Sequence, residues 1–130
     1  SEIHVMDLSK YTRGVYVEGG RVWPQVDCYS MVLEVRRDMG LPDWPDWPGT
    51  QKAAGEMAAV ADGFLPCLHP CEPHPGAMVV CYEGRCVSHC GVIVEVAGML
   101  EVLDIRSRSG VKCLPLSRFV RAFNRVEFYD

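Results

Sequence analysis

The chain has 130 residues, 48% of them hydrophobic and 23% charged, with a formal net charge of −4. That length buries one core, so a single domain over residues 1–130 is expected. The acidic balance offers no basic field for nucleic acid. No apolar run reaches bilayer length for membrane insertion, and the first residues lack the basic and apolar segments of a secretion signal, which predicts synthesis in the cytosol.

In chain order, the first strong pattern runs from Cys28 to Met39. Met31, Val32, Val35 and Met39 share one helical face, and Glu34, Arg36, Arg37 and Asp38 share the other. Asp27 is placed to cap this helix and Gly40 to end it. The stretch from Leu41 to Gly49 carries too many prolines for regular structure. A second helix is predicted from Gln51 to Asp62, with Thr50 as N-cap and Gly63 just past its end.

After Pro75-Gly76 the pattern turns to strands: Ala77 to Tyr82, a turn at Glu83-Gly84, then Arg85 to Val87. A hairpin of His89–Val96 and Met99–Ile105 around Ala97-Gly98 follows, then Val111–Leu114 after Ser109-Gly110. Ser117 is expected to cap a short helix through Phe123, and Arg125–Tyr129 reads as a closing strand. Helices first and an antiparallel sheet after is an α+β arrangement.

Two residues in this layout carry chemistry. Cys28 falls on the first turn of a helix, where unpaired N–H groups and the positive end of the macrodipole stabilise a thiolate. His89 opens a strand and supplies an imidazole to take the thiol proton. Gly91 lies on the same strand face and leaves room beside the ring. An imidazole base needs a third group to orient it. A two-residue turn at Ala97-Gly98 pairs His89 with Arg106 and puts Asp104 on the face of His89. A three-residue turn substitutes Glu101, and the reading leans to Asp104.

Together, Gly14-Val15-Tyr16, Gly19-Gly20-Arg21, Asp27-Cys28-Tyr29, Pro75-Gly76 and His89-Cys90-Gly91 resemble the NlpC-like cell-wall cysteine peptidases, most closely the branch associated with bacteriophage tails. The likeness runs from about Tyr11 to the end. It implies a compact papain-like fold, N-terminal helices packed on an antiparallel sheet, and cleavage of peptidoglycan stem peptides, commonly between D-glutamate and the diamino acid. It also implies tail-tip or baseplate proteins as partners, with assembly in the host cytoplasm and action at the cell wall or periplasm. Tyr16 matches the aromatic beside the nucleophile, as an oxyanion donor or as core packing. Ser30 stands where the family usually has glycine, and Ala77 where it usually has aspartate.

Trp44 and Trp47, with Trp23, either line a peptide groove or pin the proline loop. Seven cysteines without a secretion signal argue against a full disulfide framework. Cys67, Cys71, Cys81, Cys86 and Cys90 offer soft ligands at short spacing for zinc or an iron–sulfur cluster. Their spacing fits no standard ligand motif, so packed thiols and no cofactor are the expectation. Two other outcomes share these features: a structural tail-tip component with a masked or vestigial site, and a papain-like acyl transferase or amidase.

Overall fold

The computed structural model describes residues 7–48 and 55–130. After a 3-10 helix, Leu8–Arg13, come three two-residue strands, β1 (Val15–Tyr16), β2 (Arg21–Val22) and β3 (Gln25–Val26). They form a small sheet in the order β1-β3-β2, with β1 parallel to β3. Helix α1 (Cys28–Asp38) and helix α2 (Glu56–Phe64) follow. Then come β4 (Met78–Glu83), β5 (Cys86–Val96), β6 (Met99–Arg106) and β7 (Gly110–Pro115). Helix α3 (Leu116–Val120) and β8 (Arg125–Tyr129) complete the chain.

The five long strands make one antiparallel sheet in the order β7-β6-β5-β4-β8. Strand alternation divides its apolar side chains between two faces. On one face Met78, Val80, Val92, Val94 and Leu103 pack with Met31, Val32 and Val35 of α1. On the other, Ala77, Val79, Ile93 and Val102 pack with Phe119 of α3. The architecture is α+β, with a helix layer on either side of the sheet.

Several predicted boundaries hold and others move. Asp27 caps α1: its carboxylate accepts from the Ser30 N–H at 3.0 Å, and the Ser30 hydroxyl accepts from the Asp27 N–H at 2.9 Å. The hydroxyl in turn donates to Gly20 O at 2.7 Å, so this side chain joins the helix to the small sheet. Arg36, assigned by periodicity to the polar face, is instead 3% exposed. It donates to Gly76 O at 2.8 Å, and its guanidinium lies 3.6 Å from the centre of the Trp44 ring. These contacts with the loop and with the turn before β4 outweigh the cost of burying the charge.

The second helix runs past Gly63 to Phe64 and continues directly into a 3-10 helix, Leu65–Cys67. Its expected start at Gln51 and cap at Thr50 lie outside the described residues. The two segments predicted at Arg85–Val87 and His89–Val96 are one strand, β5, with a register irregularity opposite Cys81 and Tyr82. Ser117 lies inside α3 rather than capping it, and the helix stops at Val120. The Ala97-Gly98 turn has two residues, both at positive φ, and pairs Val96 with Met99.

Candidate active site

Cys28 is the first residue of α1 and is 4% exposed. Its orientation starts with Asp27, whose carboxylate also accepts from the Gly19 N–H at 3.2 Å and pairs with Arg21 at 2.8 Å. Arg21 also donates to the carbonyls of Gly20, Asp46 and Trp47. The Gly19-Gly20-Arg21 turn, the helix start and the proline loop are thus tied into one bonded unit around the thiol.

His89 lies near the start of β5, and its Nε2 is 2.7 Å from Asp104 Oδ2 on β6. Asp104 is fully buried and also accepts from Arg106 Nε at 2.9 Å. The two-residue turn sets this arrangement, since its register puts Asp104 rather than Glu101 on the His89 face. Glu101 instead accepts from the Cys113 thiol at 3.2 Å. With Nε2 held by the carboxylate, the other ring nitrogen is left for Cys28.

The ring plane is fixed from the side by Phe123, stacked at 6.2 Å and 16°. A Cβ at Gly91 would come within 2.7 Å of Val102 Cγ1 and 3.3 Å of Asp104 Cβ, so the glycine makes room for β6 and the carboxylate.

Electrostatics favour an ion pair. A hydrogen bond from Cys90 is the largest influence on Cys28. With the hydrogen bond and charge of His89, it outweighs burial and holds the Cys28 thiol well below its ordinary range. Burial pulls His89 down, but hydrogen bonds to Asp104 and Cys28 together raise it above the ordinary imidazole value. The Cys90 thiol moves the other way, up, because it donates to Cys28 and is itself buried. Of the two neighbouring sulfurs Cys28 carries the charge, since it alone has the imidazole and the helix N-terminus beside it.

Tyr16 lines the site beside Cys28. Burial, then the negative neighbours Cys28 and Asp27, push its hydroxyl up to about 12, which keeps it a proton donor. Trp47 lines a cavity next to Cys28, and its ring meets Phe64 edge-on at 6.0 Å. Trp44 is taken up by Arg36 and Phe64. Trp23 packs on Tyr11 and Lys10, away from the thiol.

The remaining thiols are dispersed. Cys67 and Cys86 are exposed, Cys71 is half-buried, and Cys81 and Cys90 belong to opposite faces of the sheet. Among the described residues no group of three or more His, Cys, Asp or Glu side chains is arranged to hold a metal ion.

Sequence reasoning missed three members of this site: Arg106 on the carboxylate, Phe123 on the ring and Cys90 on the nucleophile. Cys90 left a signal in its position next to His89 and Arg106 in the register that pairs it with His89; Phe123 left none. Comparisons of the chain with protein-family models and with curated proteins find no match.

Proposed function

We propose that this chain is a cysteine hydrolase of the papain-like, NlpC type that cuts an amide bond in peptidoglycan stem peptides, as part of a phage or phage-like tail tip. The observation that carries the reading is the line of groups from the Cys28 thiol through His89 to Asp104, closed by the 2.7 Å bond. The ordered motifs of the sequence support the choice of substrate and setting.

In this mechanism the Cys28 thiolate attacks the scissile carbonyl carbon and forms a C–S bond. The oxyanion that develops accepts from the Cys28 backbone N–H and the Tyr16 hydroxyl. As the C–N bond breaks, protonated His89 gives its proton to the leaving amine. His89 then takes a proton from water, whose oxygen attacks the thioester, and the acid product leaves with Cys28 restored as thiolate. Asp104 holds the imidazole in the orientation both steps need and offsets its charge.

The test is mass spectrometry of peptidoglycan fragments incubated with wild-type protein and with Cys28→Ala under reducing conditions. Wild type alone should release cut stem peptides, and the fragment masses identify the bond. Release by neither protein counts against the hydrolase.

One observation favours the second reading, a structural tail-tip component. Val15 and Val22 flank Gln25 in one row of the small sheet and are 54% and 75% exposed, an apolar face suited to a partner protein. A purified chain that is monomeric and active would count against it.

A further inference from the structure

Cys28 stands between two cavities of opposite character. One, of about 60 Å³, is bounded by apolar side chains from α2 and the sheet, including Val60, Ala61, Phe64, Val80 and Val87. The other, of about 730 Å³, is a wider groove with Glu18, Glu83, Arg106 and Arg108 among its walls. Consecutive strand residues point to opposite faces, and here that separates the two neighbours of the nucleophile. Cys90 lines the apolar cavity, His89 lines the polar groove, and Cys28 and Tyr16 border both.

This division assigns the two halves of a substrate. The leaving amine must receive its proton from His89 and therefore departs on the polar side. The acyl residue, bonded to Cys28 Sγ in the thioester, is left with the apolar cavity. Among the described residues, Arg21 and Asp27 are the charged members of that cavity's lining, and they are paired with each other. Arg21 has also committed Nε, Nη1 and Nη2 to the carbonyls of Asp46, Gly20 and Trp47. A carboxylate entering the cavity would lose its hydration and meet, among the described residues, no unengaged cation. At roughly 10–15 Å³ for each water-sized group, the space takes about four to six heavy atoms.

We infer that the acyl side of the substrate presents a small apolar side chain, from alanine to leucine in size, and that the leaving side carries the polar and charged groups. This rests on the hydrolase reading above. Within a stem peptide it selects a bond whose acyl donor is an alanine, not the glutamyl bond that the family resemblance implies.

The test measures alkylation of Cys28 by acetyl-alanyl, acetyl-leucyl and acetyl-glutamyl chloromethyl ketones, each corrected for its rate with a free thiol. The thiolate displaces chloride, forming C–S as C–Cl breaks, and peptide mapping locates the adduct. The alanyl and leucyl probes should label Cys28 at least about tenfold faster than the glutamyl probe. Ala61→Leu should fill the cavity and lower the leucyl rate more than the alanyl rate. Val87→Leu, on a different element, makes the same check should Ala61→Leu fail to fold. Equal or faster labelling by the glutamyl probe overturns the pocket assignment and leaves the nucleophile standing. Failure of every probe to exceed its free-thiol rate overturns the nucleophile, and the pocket assignment with it.

Discussion

At the scale of single residues, the two candidate carboxylates have unequal surroundings. Asp104 accepts from both His89 and Arg106 and is buried, while Glu101 contacts the Cys113 thiol. Asp104→Asn should therefore lower kcat by about 10³- to 10⁴-fold through loss of the imidazole's orientation. Glu101→Gln should leave kcat within about twofold, and stopped assays on the two variants compare them directly. The Cys28 and His89 shifts also set a pH profile. Activity should rise as Cys28 loses its proton below the ordinary thiol range and fall as His89 loses its proton above the ordinary imidazole range. The rate of Cys28 alkylation by iodoacetamide should follow the same acid limb. A limb at the ordinary thiol value would mean that no ion pair forms.

At the scale of elements, what the sequence disclosed depended on how local each cause was. Helix α1 was legible because its apolar spacing, its Asp27 cap and Gly40 all lie within one segment. The Asp104 assignment was legible because a two-residue turn propagates its register along both strands. The two-residue strands β1 to β3 were not, since two residues carry no period. Arg36 escaped because its partners Gly76 and Asp130 come from the turn before β4 and from the residue after β8. Phe123 escaped because its place on His89 depends on how α3 packs. The β5–β6 pairing can be probed at its tightest point. Gly91→Ala should cost about 1–3 kcal/mol in a urea melt, because the new methyl meets Val102 and the Leu103 carbonyl. It should also slow turnover by displacing Asp104, and a neutral outcome in both readouts would show that β6 yields without cost.

At the scale of the whole molecule, Arg36 joins parts that the chain order keeps far apart. From α1 it reaches the turn before β4, the Trp44 ring of the proline loop, and Asp130 at 3.5 Å. Arg36→Leu should lower stability by about 2–3 kcal/mol, read by chemical denaturation, since it strands the buried Gly76 carbonyl and frees the loop. A change under about 0.5 kcal/mol would mean that the loop is held by its aromatic contacts alone.

The rims of the large sheet have a consequence of another kind. Beyond β8, the N–H of Cys71 bonds to Phe128 O, and His69 and Asp130 exchange backbone bonds in both directions. Beyond β7, the 3-10 helix and β1 lie alongside. Both borders are thus covered in part, which hinders extension by another strand at either end. A partner that meets a covered stretch of these rims must grip side chains rather than backbone, so point substitutions there, rather than strand-mimicking peptides, are the reagents that would break such a contact.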